Sequence, residues 1–160
     1  MSKINGIYAA SVSVLDKELN LNVDKTIKHA ENLILQGCHG VVIFGSTGQA
    51  QLISVSEKIK LIEKLSKNKF KNNFIIGTGF NSLKETISFL NVCKNFNFEN
   101  FLIMPPAYYV YADNDAIKFY SEIIKIHPWC KIVLYNFEKL CGYKFSVECV
   151  EELVKIYPDQ

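Results

Sequence analysis

Apolar runs recur at residues 6–10, 41–44, 74–77, 101–104 and 132–135, a spacing of about thirty residues that matches one strand-plus-helix unit. The runs are short and continuous rather than alternating. Val41-Val-Ile-Phe44 is the clearest, and such a run suits a strand covered on both faces within a parallel sheet. Between the runs the apolar positions take the helical period. Val55, Ile59, Ile62 and Leu65 share one face, Leu83, Ile87 and Leu90 another, and Phe119, Ile123 and Ile126 a third. Ser54-Val-Ser-Glu57 and Ser82-Leu-Lys-Glu85 have the form in which serine and glutamate each satisfy a free amide at a helix start. Ser146 opens a last helix with Val147, Val150 and Val154 on one face, running to Tyr157 with Pro158 as its stop.

Strict alternation of strand and helix predicts parallel strands joined by right-handed crossovers. Two architectures satisfy it: an open five-stranded doubly wound sheet, and a (β/α)₈ barrel of which five units are present. Length alone favours the open sheet, because a complete barrel needs about 250 residues. At 160 residues and 49% hydrophobic, the chain buries one core, and residues 1–160 form a single domain.

Composition narrows the function. All 18 basic residues are lysines, interleaved with acids to a net charge of +2. Without arginine or a basic stripe, a nucleic-acid partner is not expected. No apolar stretch approaches membrane-spanning length and no secretory signal opens the chain, so a cytoplasmic protein with no membrane partner is expected. Five cysteines with no C-x-x-C predict reduced, buried thiols rather than disulfides or a zinc site. His29, His39 and His127 stand far apart, none at metal-ligand spacing, so no metal is expected.

The polar residues of interest follow the strands: Ser11 and Ser13, Ser46 and Thr47, Thr78 and Asn81, Tyr108 and Tyr109, Tyr135 and Asn136. In either architecture that is the ligand-binding end. Gly45 and Gly48 let the backbone turn close to a ligand, with Ser46 and Thr47 either facing it or serving only the turn. Gly77-Thr-Gly79 lacks the third glycine of a dinucleotide fingerprint, and Gly45-Ser-Thr-Gly48 lacks the Gly-Lys ending of a phosphate loop. In Met104-Pro-Pro-Ala-Tyr-Tyr109 paired prolines stiffen the backbone and hold two phenols at the mouth. Phenols donate and accept protons, and they also serve as amphipathic subunit contacts.

Taken in order, Gly45-Ser-Thr-Gly48, Gly77-Thr-Gly79, Pro105-Pro-Ala-Tyr-Tyr109 and Leu134-Tyr-Asn136 with Gly142 resemble the dihydrodipicolinate synthase and N-acetylneuraminate lyase family over the whole chain. The resemblance implies a (β/α)₈ TIM barrel, here only about its first five units, and so outweighs the argument from length. It implies a class I aldolase or lyase that holds pyruvate or a related 2-oxo acid as a Schiff base on a lysine and acts with an aldehyde, without metal or cofactor. Ser46 and Tyr135 would carry protons and Thr47 would bind the keto acid carboxylate. Tyr108, or Tyr109 in the alternative register, would enter a neighbouring subunit's site, which makes the full-length protein a homo-oligomer.

Two departures qualify the match. The family's Schiff-base lysine closes a sixth strand in a Gly-x-Lys context, and none of the 18 lysines stands there. The resemblance therefore implies a truncated chain, inactive by itself. Leu140 stands where lysine-pathway members carry an arginine, and Gln49 replaces the usual glutamate, so a keto-deoxy sugar acid or another 2-oxo acid fits as well as dihydrodipicolinate synthesis. The competing expectation is a non-catalytic open-sheet module, or an inactive barrel remnant, that binds small carboxylates or a partner protein.

Overall fold

The computed structural model describes residues 4–160. Its strands are β1 (Tyr8–Ala10), β2 (Gly40–Ile43), β3 (Phe74–Gly77), β4 (Asn100–Ile103) and β5 (Lys131–Leu134). The helices are α1 (Val23–Leu35), α2 (Val55–Leu65), α3 (Leu83–Asn95), α4 (Asp113–Ile126), the single turn α5 (Glu138–Cys141) and α6 (Val147–Ile156). Every pairing is parallel and the spatial order is β1-β2-β3-β4-β5. That order decides the architecture. A doubly wound sheet reverses direction at a switch point, whereas here each crossover advances the same way. The helices follow suit: α1 packs on α2, α2 on α3, α3 on α4 and α4 on α6, one layer of neighbours along one side of the sheet. This is barrel winding, and the open doubly wound alternative falls.

Burial refines the expectation of strands covered on both faces. It holds for β3, whose four residues are all buried. In β4 it alternates, with Phe101 and Ile103 sealed and Asn100 and Leu102 half-exposed, and all four residues of β5 are half-exposed. One face of β4 is thus sealed and the other partly open, while β5, at the sheet edge, is partly open on both.

Helix faces lie partly elsewhere than the periodicity predicts: α3 buries Thr86, Phe89, Leu90 and Cys93 rather than Leu83 and Ile87, and Ile126 of α4 is exposed. In α2 the buried residues are Lys58, Leu61, Ile62 and Leu65, one step round from the face through Val55 and Ile59. In α6 the inward residues are Cys149 and Leu153, while Val147, Val150 and Val154 face out. An apolar stripe reports that something apolar can cover it, and α6 turns only its other side to α4. Ser54 and Glu57 form both halves of the predicted cap, and Glu57 Oε1 also accepts from Leu21 N at 2.7 Å. Those bonds, the Leu21 amide first, hold the Glu57 carboxyl below its usual range. At Ser82 only the serine's half forms among the described residues, accepting from Glu85 N at 3.2 Å.

Four of the five cysteines are buried and all are free thiols. His127 is buried with Nε2 3.1 Å from Ile87 O, and its pKa is drawn down by burial. Among the described residues no helix is long and apolar enough to cross a membrane, and no cluster of three or more His, Cys, Asp or Glu could hold a metal ion.

Candidate active site

The site is built outward from the tip of β2. Phe44, the residue after the strand, is buried and left-handed, with φ +56. For a bulky residue that conformation costs on the order of 1–3 kcal/mol and must be held by its surroundings. It turns the Phe44 carbonyl onto β3, where a Cβ on Gly77 would lie 2.0 Å from that oxygen. Glycine at 77 is therefore a steric requirement of the neighbouring strand.

The loops beyond the strand tips are tied to one another. Ser13 Oγ donates to Gly48 O at 2.6 Å, joining the loops after β1 and β2. Asn81 Oδ1 accepts from Ala107 N at 2.9 Å, joining those after β3 and β4. Asn136 Oδ1 accepts from Phe145 N at 3.3 Å, closing the loop after β5 on the approach to α6. Polar side chains that follow the strands thus spend part of their hydrogen bonding on holding the loops rigid.

Between the loops lies a cavity of about 270 Å³. Its wall is aliphatic and aromatic, from Phe44, Leu52, Leu102, Met104 and Leu140, apart from the side chains of Ser46, Gln49, Gln51 and Tyr135. The Tyr135 hydroxyl is buried without a hydrogen-bond partner among the described residues. Unpaired, such a group costs about 1–3 kcal/mol. Cys141 also lines the cavity, but burial pushes its thiol up and keeps it protonated, a poor nucleophile.

The model of the dihydrodipicolinate synthetase family matches residues 3–159. The chain belongs to that family. It is 26% identical over 153 residues to the 4-hydroxy-tetrahydrodipicolinate synthase of Methanospirillum hungatei, a match covering 94% of this chain and 52% of that protein. To the N-acetylneuraminate lyase of Escherichia coli it is 26% identical over 156 residues, covering 97% of this chain and 52% of that protein. The crystal structure of dihydrodipicolinate synthase from Agrobacterium tumefaciens superposes with a TM-score of 0.89 at 23% identity, over 96% of this chain and 55% of that one. The chain thus spans about half the length of the relatives it matches, and its five units overlay a barrel fold.

Of the residues singled out from the family resemblance, Ser46 and Tyr135 line the one cavity together. Thr47 is exposed and lies outside the lining. Tyr108 is 86% exposed, left-handed at φ +84, and edge-on to Tyr109 with ring centroids 5.1 Å apart. Neither tyrosine lines the cavity. Gln49 and Leu140, the two family departures, both do. Gln51 was not anticipated; its Nε2 donates to Met104 Sδ at 3.2 Å across the cavity wall. Lys58, behind the wall, was not anticipated either. Its signal was its place in the i, i+3, i+4, i+7 series with Leu61, Ile62 and Leu65, masked by the usual reading of lysine as a solvent-facing residue. No lysine lines the cavity among the described residues.

Proposed function

We propose that this chain supplies the 2-oxo acid-binding part of a class I aldolase or lyase, forming or cleaving a carbon–carbon bond next to a Schiff base of pyruvate or a related 2-oxo acid. The observation that carries the reading is the Tyr135 hydroxyl, buried and unpartnered in the wall of a cavity that Ser46 also lines. In such chemistry a lysine amine condenses with the keto carbon and releases water, and the protonated imine then accepts the electron pair of the carbon–carbon bond. Protons must move to and from the leaving oxygen, a task suited to two hydroxyl groups, here the buried one of Tyr135 and that of the exposed Ser46.

The relatives' names as a synthase and a lyase support this class without choosing a direction. The nucleophilic lysine would come from a sixth strand, and the aldehyde partner would approach over Gln49, Gln51 and Leu140. Thr47 is assigned to the carboxylate from the exposed side of the loop, and Tyr108 to a neighbouring subunit's site in a cytoplasmic homo-oligomer. A second reading is non-catalytic: Gln49 and Gln51 of the cavity wall offer amide donors that would hold a small carboxylate without turning it over.

Borohydride trapping separates the two. Pyruvate plus borohydride should leave the 160-residue chain unmodified and add a reduced pyruvyl group to one lysine of a version carrying a strand that ends in Gly-x-Lys. If the longer protein gains no adduct, the aldolase reading fails and the binding reading stands.

A further inference from the structure

Lys58 is fully buried on α2, with no exposed surface. Its Nζ donates to Thr78 O at 2.7 Å and sits 3.9 Å from the centre of the Phe80 ring and 5.8 Å from that of Phe44. The described ion pairs, Lys64 with Asp24 and Lys125 with Glu122, do not include it. An ammonium so placed has three donors, one protein acceptor and two aromatic faces. For filling the core face of a helix that is an expensive choice, since a methionine would occupy the space without a charge to desolvate.

What the charge holds is the wall of the cavity. Thr78 N donates to Leu102 O at 3.1 Å, which fixes one side of the residue, and its carbonyl is the group that Lys58 engages. The next residue, Gly79, is left-handed at φ +64 and lines the cavity; a Cβ there would meet Ala50 Cβ at 2.4 Å. Phe44, which lines the same cavity, has its ring centre 5.8 Å from the same cation.

We propose that Lys58 is a positioning residue of the cavity: its ammonium, bound to the Thr78 carbonyl, orients the Thr78–Gly79 peptide and seats Phe44, so the shape of the cavity depends on whether Lys58 is protonated. Nothing in this role needs a 2-oxo acid to bind, so it stands or falls apart from the aldolase reading. The groups around Nζ just beyond β2 and β3 are neutral, namely Phe44, Thr78 and Phe80; the charge that acts on it comes from Glu85 of α3. Burial draws Lys58 down to about 8, with Glu85 opposing, so the switch falls within an accessible range.

Heteronuclear NMR of the ligand-free 160-residue chain tests it, by a titration from about pH 6 to 10 that spans that midpoint and stops short of an ordinary lysine's. The Lys58 side-chain carbon and the amides of Gly79 and Gly45 should share one transition, absent from the amides of α1. In Lys58→Arg, which keeps its charge, the transition at Gly79 and Gly45 should vanish. Lys58→Met should hold them near their high-pH positions. If Lys58 titrates while Gly79 and Gly45 stay still, the proposal is overturned, and the wild-type titration alone decides this should either variant fail to fold.

Discussion

Gly77→Ala probes the seam between β2 and β3. The added Cβ would lie 2.0 Å from the Phe44 carbonyl oxygen, 2.5 Å from its carbon and 3.0 Å from the Ile43 oxygen, all backbone atoms that cannot swing aside. To reach even a tight contact the strands must separate by at least about 1 Å, next to the Ile43–Ile76 register pair. Overpacking of a core costs about 1–3 kcal/mol, and one or two weakened ladder bonds add about 1 kcal/mol each. A loss of about 3–4 kcal/mol follows, from a total of about 5–15 kcal/mol for a domain. At this size each kilocalorie lowers the melting temperature by about 2–4 °C, so a drop of about 10 °C is expected in a thermal melt followed by circular dichroism. Gly37→Ala is the control. A Cβ there meets nothing within 4 Å, and the variant bears only the strain of φ +109, on the order of 1–3 kcal/mol. Should Gly77→Ala melt within about 2 °C of the wild type, the close approach of the Phe44 carbonyl is not a property of the folded chain.

Two further outcomes follow from the site. Lys58 has a folded pKa of about 8 against the usual 10.5, so between those values the unfolded chain holds a proton that the folded chain has released. Stability therefore rises with pH across that window, by about 3 kcal/mol at 1.36 kcal/mol per unit, and the gain is absent below pH 8. Lys58→Met should lack this rise, and urea unfolding of both proteins at either end of the window would expose the error if their pH dependences ran parallel. In a version of the protein that carries a Schiff-base lysine, Tyr135→Phe keeps the ring and removes the hydroxyl proposed to carry protons. Turnover should fall more than imine formation does, and unchanged turnover would remove Tyr135 from the proton path.

The strands were readable because a buried run of four apolar residues has few alternatives. β3 lies where the sequence predicts it, β2, β4 and β5 begin one residue early, and β1 begins two residues late. Their order was not readable from the runs, since open sheet and barrel share the same alternation; only the family motifs favoured the barrel, and the unreversed pairing then established it. Helix faces were less secure. Periodicity identifies an apolar stripe, but which side of α6 is covered depends on where α4 lies, a tertiary fact. α1 is capped by Asn22, whose side chain accepts from Lys25 N, a signal that a cap-by-cap reading could have used.

Ser46 and Tyr135 share a cavity because Tyr135 directly follows β5 and Ser46 lies three residues past β2, and the barrel brings strand tips together. The wall between them was hidden because its geometry is set by pairs of residues on different strands. A phenylalanine at φ +56 has no local signature, and its conformation is allowed because position 77 on the adjacent strand is a glycine. Read along the chain, Gly77 belongs to a Gly-Thr-Gly segment that fits no nucleotide loop and gives no local reason for its glycine. In the fold it makes room for the carbonyl at the tip of β2. Lys58 meets the same junction from the helix side, holding Thr78 and lying over Phe44 and Phe80. A strained aromatic, a glycine and a buried cation thus bear on one seam, and each carries a cost that the others accommodate. Costs of that kind concentrate where a structure must hold a shape that local propensity would not choose, and here that shape is the floor of the cavity that Ser46 and Tyr135 share.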